Sequence, residues 1–150
     1  MPADSETPPP LGLPHTWRPL GVRLAGGFFG AMLLLVCLVM WFNFDPEVRA
    51  AVTIGQRLTL LGFGLMAAAA MHALMRCRVT ASADRLVVVN GYRRREFTWP
   101  QVVAVSLPAG APWATLDLSD GTSVPAMGIQ GSDGHRARTA VSELRSLLDR

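Results

Sequence analysis

Hydrophobic positions follow two regimes along this chain. Leu24 to Phe44 and Leu58 to Met75 are apolar runs of 21 and 18 residues without an Asp, Glu, Lys or Arg. At 1.5 Å per helical residue they reach roughly 31 Å and 27 Å, against a hydrocarbon layer about 30 Å thick. Met32 to Phe42 (MLLLVCLVMWF) is apolar on every side, with no polar stripe of the kind a soluble amphipathic helix carries. Between the runs, Asp45 to Arg57 holds Asp45, Glu47, Arg49 and Arg57 and the turn-favouring Asp45-Pro46 pair, a polar join for antiparallel neighbours. The pattern predicts a transmembrane helical hairpin over residues 21–76. A cleaved signal peptide fits poorly: the first apolar run is too long, its front is Pro-rich rather than basic, and no small-residue cleavage site follows it.

From Cys77 onward the pattern changes to short β-branched or alternating segments. Arg78 to Thr80, Leu86 to Asn90, Arg94 to Thr98, Val102 to Leu107, Ala114 to Leu118 and Thr122 to Ala126 read as consecutive antiparallel strands. Ser82 to Asp84 supplies turn chemistry, and Asn90-Gly91 and Asp120-Gly121 are hairpin dipeptides. After Gly131 the period becomes helical. Ala137, Ala140, Val141, Leu144, Leu147 and Leu148 share one face, with Ser132 or Asp133 available as the cap. The expected class is therefore α+β: a transmembrane hairpin, then an antiparallel sheet or partial barrel over residues 77–150 closed by one C-terminal helix.

Residues 1–20 carry Pro2, Pro8, Pro9, Pro10, Pro14 and Pro19 among polar and acidic residues, which predicts a disordered tail; a Pro-rich ligand for a groove-type recognition domain is the alternative. All 14 basic residues are arginine, and the formal net charge is +3. Arg18 and Arg23 precede the first span. Arg76, Arg78, Arg85 and Arg93 to Arg95 follow the second, and the connecting segment offsets its two arginines with two acids. The positive-inside bias then predicts a multi-pass protein of the cell membrane with both termini cytoplasmic. Trp17, Trp41 and Phe42 suit the aromatic belts at the two interfaces. Cys37 and Cys77 lie at different depths, so they do not form a disulfide framework.

Within the hairpin, Gly26 and Gly30 are expected to meet Ala69 and Ala73 across the spans. The same small faces could pair two copies of the chain, so a homo-oligomer stays open. His72 is the only ionisable side chain in either span, and it has no acidic or second histidine partner there to form a metal or proton site.

Strands followed by a terminal helix is the order of a pleckstrin-homology (PH)-like domain. Residues 76 to about 149 resemble the bacterial PH-domain family typified by the actinobacterial low-molecular-weight protein antigen 6, whose members often carry two preceding spans. The resemblance rests on Leu86 and Asn90, Trp99 with Val102 and Val103, Pro112-Trp113, Leu116 before Asp120-Gly121, Ile129-Gln130, Asp133 and Leu144. The chain departs from it mildly, with Asp84 or Arg85 where a hairpin glycine is common and Val102 where isoleucine is usual. A non-catalytic binding module is what the resemblance implies.

Trp99 is expected to fill one end of the barrel as a core hydrophobe. Arg93 and Arg95 are the candidate lipid- or partner-binding residues, because strand alternation puts them on one face while Arg94 points away. A basic strand near a span is also attracted to an anionic leaflet without any pocket. The sequence has no glycine-rich phosphate loop, nucleophile elbow or metal-ligand pair at helical spacing, so it implies no enzyme, cofactor or metal. Its 10 arginines against 7 acids from Arg76 to Arg150, without interleaved aromatics, do not suggest nucleic acid. The expected partners are the lipid bilayer and a protein, with an anionic phospholipid headgroup as the alternative ligand.

Overall fold

The computed structural model describes residues 12–149. Strand β1 (His15–Trp17) leads into helix α1 (Leu20–Asn43), a short helix α2 (Pro46–Ala51) and helix α3 (Ile54–Arg76). Then come β2 (Arg78–Ala81), β3 (Arg85–Asn90), β4 (Arg93–Thr98), β5 (Val102–Ser106), β6 (Trp113–Leu118), β7 (Ser123–Gln130) and helix α4 (His135–Leu148). Single 3-10 turns at Trp99–Gln101 and Gly131–Asp133 join β4 to β5 and β7 to α4. The strands form two antiparallel sheets, ordered β1-β2-β3-β4 and β5-β6-β7.

The long helices are long and apolar enough to cross a bilayer, and their most apolar windows are only 6% and 0% buried in the protein. The core helices of a soluble bundle would bury such side chains. α3 begins with a reciprocal cap: Thr53 Oγ1 accepts from Gln56 N, and Gln56 Oε1 accepts from Thr53 N. Proline opens α2, where its missing N–H costs nothing. At the far end of the hairpin the Arg57 guanidinium stands 5.4 Å from the Trp41 ring centroid. The small residues do not meet as expected. Gly26 lies against the Met71 thioether, a Cβ on Gly30 would touch nothing within 4 Å, and Ala73 faces Gly91 of the β-domain instead.

Valines and leucines on alternate strand positions fill the space between the sheets and α4. Leu86, Leu116 and Leu144 are completely covered, and Val79, Val88, Val105, Ala137, Ala140 and Val141 pack with them. β7 closes one side by leaning across β2 and β3. Gly128 makes that crossing possible, because a Cβ there would fall 2.5 Å from the Arg78 carbonyl carbon. On the other side α4 covers β5, and Arg145 Nε donates to the Val105 carbonyl at 3.0 Å.

Three expectations need correction. Disorder through residue 20 fails for its last part: His15–Trp17 pairs with Ala81–Val79 in antiparallel register, and residues 1–11 lie outside the described residues. Trp17 belongs to the β-domain core, 8% exposed, with its indole N–H donated to Glu143 Oε2 at 2.8 Å. Trp99, expected as the core plug, is only half-buried at the margin, where its N–H reaches the carbonyls of Ser82 and Ala83. The physical reason is positional. Trp99 sits in the turn after an edge strand, whereas Trp17 is held over the core by pairing with buried Val79.

Candidate functional site

β4 is the edge of its sheet, and the register pairs Asn90 with Arg93, Val88 with Arg95 and Leu86 with Phe97. Opposed residues of antiparallel strands point to the same face. Arg93 and Arg95 therefore share the face of buried Leu86 and Val88, at its open margin, while Arg94 and Glu96 point to the other side. The register thus puts Arg93 and Arg95 on one face of β4.

The separation has an electrostatic consequence. Glu96 accepts from Arg85 at 2.9 Å and from Arg94 at 2.6 Å. The hydrogen bond from Arg85, reinforced by the charge of Arg94, holds the Glu96 carboxyl below its usual value. That carboxylate is committed to the outward arginines. Among the described residues Arg93 and Arg95 have no carboxylate within ion-pair distance.

The pair borders a cleft of about 230 Å³ between β4 and β7, lined also by Val88, Asn90, Val124, Pro125 and Met127. Asn90 fixes its floor: the amide nitrogen donates to the Pro125 carbonyl, and the amide oxygen accepts from Met127 N at 3.0 Å. No acidic residue lines it. Two guanidiniums two strand positions apart, about 7 Å along the backbone, are suited to a phosphate or to paired carboxylates.

The turn between β3 and β4 is fastened to α3. Gly91 takes φ +62°, open to glycine at no steric cost, and a Cβ on it would meet Ala73 Cβ at 3.3 Å. Its N–H donates to Cys77 Sγ at 3.2 Å. The next residue, Tyr92, donates its hydroxyl to the Ala69 carbonyl at 3.2 Å and lies 2.9 Å from His72 Nδ1, with the Arg76 guanidinium 5.4 Å from the ring centroid. A hydroxyl has one proton. The Ala69 carbonyl can only accept, so the Tyr92 hydroxyl donates to it.

A second fastening holds α1. Asp133 accepts from Leu20 N at 3.1 Å and Gly21 N at 2.9 Å, so it caps the first long helix rather than α4, as its place in sequence suggested. α4 starts from Gly134 without a side-chain cap. Sequence reasoning missed Tyr92, Asp133 and Trp17 as contacts between regions. The one available signal was that Tyr92 is the sole tyrosine of the chain, beside the Asn90-Gly91 turn and one residue before the arginine run.

No group of three or more His, Cys, Asp or Glu side chains that could hold a metal occurs among the described residues. Residues 76–147 match the protein family described as Bacterial PH domain. Uncharacterised proteins of Mycobacterium tuberculosis and Mycobacterium bovis are each 39% identical to the chain over 87 residues, covering 58% of this chain and 56% of the relative. The chain thus spans little more than half the length of the curated relatives it matches. No solved structure matches it.

Proposed function

We propose that the chain is a membrane-anchored, non-catalytic PH-like module whose hairpin spans the bilayer and whose β-domain presents a binding surface for a protein partner at the cytoplasmic face. The observation that carries this reading is the double fastening. Asp133 holds the start of α1 and the Tyr92 turn grips the end of α3, so a domain joined to both helices has a fixed attitude rather than a swinging tether. The similarity of residues 76–147 to bacterial PH domains supports a binding role. The arginine bias around the spans supports the orientation. The test is proteolysis of a C-terminally tagged protein in intact and permeabilised spheroplasts. The tag should survive outside protease until the membrane is opened; digestion in intact spheroplasts would contradict the orientation.

A second reading, an anionic phospholipid headgroup in the cleft of Arg93 and Arg95, is favoured by one observation. These arginines have no carboxylate partner among the described residues, while their neighbours Arg85 and Arg94 share Glu96. General attraction to an anionic leaflet is worth about 1 kcal/mol per arginine and fades with salt. A headgroup site would instead discriminate between lipids of equal charge. Full-length protein in nanodiscs should then prefer one anionic headgroup over another, and Arg93→Ala with Arg95→Ala should abolish the preference.

A further inference from the structure

The loop between β5 and β6, Leu107-Pro108-Ala109-Gly110-Ala111-Pro112, followed by Trp113, contains no charged or hydrogen-bonding side chain except the indole. Pro108, Ala109, Gly110, Pro112 and Trp113 are exposed, and Trp113 keeps 36% of its surface open. A solvent-facing hairpin tip ordinarily carries Asn, Asp or Ser, as the Asp120-Gly121 hairpin of the same sheet does. This one closes as a tight turn, with Ala111 N bonded to the Pro108 carbonyl at 3.0 Å and Gly110 at φ +83°.

Its position gives that composition meaning. Trp113 pairs with Gln130, and Gly131 N donates to the Pro112 carbonyl at 3.0 Å. Gly131 is kept bare by the Ala111 carbonyl, which occupies the space a Cβ would need. Two residues further on, Asp133 holds the first two N–H groups of α1. The uncharged tip therefore lies at the end of the β-domain that holds the start of α1. Between the tip and the start of α4 runs a groove whose lining has an apolar wall, Leu107 to Pro112, and one charged side chain, Arg138. An apolar wall beside a single cation has the polarity of the boundary between acyl chains and phosphates.

We infer that the β5–β6 loop is a third membrane contact, a shallow wedge that rests in the interfacial layer of the same leaflet with Trp113 at headgroup depth and Arg138 toward the phosphates. This rests on the membrane-anchored reading above. The ligand is the lipid surface itself. Inserting this tip removes apolar area from water without burying a charge, and the domain's attachment to two helices brings it to the surface at little further entropic cost.

The test uses the full chain with Cys37→Ser in nanodiscs, because Cys77 is buried and stays unlabelled. A spin label is attached at Ala109→Cys, with reference labels at Leu35→Cys within α1 and Ser119→Cys at the opposite end of the domain. Accessibility is read with oxygen, which concentrates in lipid, and with a nickel chelate, which stays in water. The Ala109 label should show severalfold lower nickel accessibility than the Ser119 label and higher oxygen accessibility. An Ala109 label as open to nickel as Ser119 would overturn the inference while a lipid-like Leu35 label upheld the anchoring. Shielding of Ala109 from both reagents, the signature of a protein neighbour, would also overturn it. A nickel-accessible Leu35 label would overturn the anchoring itself, and this inference with it.

Discussion

At the end of the β-domain away from the long helices, the polar side chains that fix the turns bond close to themselves in sequence. Asp120 accepts from the backbone and hydroxyl of Thr122, two residues on, and Ser82 bonds the Arg85 carbonyl, three residues on. Thr98 and Gln101 cap each other across three residues. At the near end the partners are distant: Tyr92 bonds Ala69 and His72 across 23 and 20 residues, Asp133 bonds Leu20 and Gly21 across 113 and 112, and Trp17 bonds Glu143 across 126. Short-range bonds set local shape and can form in any fold that contains the turn. Those of Tyr92 and Asp133 exist only once the domain is seated on its helices, so they measure that seating, whereas that of Trp17 forms only once β1 and α4 close over the core.

Substitutions at the two ends should therefore differ in size and in what they disturb. The largest effect is expected from Trp17→Ala, which removes a buried indole and strands Glu143, at about 3–5 kcal/mol of β-domain stability. Trp99→Ala, half-buried at the far end, should cost about 1–3 kcal/mol. Thermal or denaturant melts of the two full-length variants check the order, and equal losses would erase the contrast between the ends. Asp133→Ala should cost about 1 kcal/mol through the lost cap of α1, with faster amide exchange at Leu20 and Gly21 and little change at the Asp120 turn. Tyr92→Phe keeps the ring over Arg76 and loses two hydrogen bonds, about 0.5–1.5 kcal/mol each; its check is faster exchange confined to residues 91–93 and the last turn of α3.

The smallest effect concerns Glu96. Its folded-state pKa is depressed, so its contribution is present above the unfolded value near 4.5 and is lost as pH falls through the folded value. Because the group is exposed, Glu96→Gln should leave stability at neutral pH nearly unchanged and slightly flatten the acid limb of a pH-stability curve.

Much of the fold was legible in the sequence for a reason the comparison makes plain. Strands β2 to β7, the Asn90-Gly91 and Asp120-Gly121 turns, both long helices and the apolar face of α4 are written in local periodicity and turn chemistry. The shared face of Arg93 and Arg95 follows from alternation alone. β1 was not legible, because His-Thr-Trp among prolines is too short to carry a period and is a strand only by pairing with β2. Asp133 reads as a cap for the helix that follows it, yet it serves one that begins 113 residues earlier. The small residues of the hairpin suggested a close Gly–Ala contact, but Met71 fills the space beside Gly26. Each of these three is a contact between segments remote in sequence, where no local preference announces the partner.

The central claim is that the β-domain is seated rigidly on both long helices. It is tested most directly by a pulsed-EPR distance distribution between labels at Leu65→Cys in α3 and Ser119→Cys at the far end of the domain, in full-length Cys37→Ser protein in nanodiscs. A single narrow distribution is predicted, broadening when Asp133→Ala and Tyr92→Phe are combined. A distribution already broad in the parent, unchanged by those substitutions, would mean that the domain swings freely from its helices and would contradict the account.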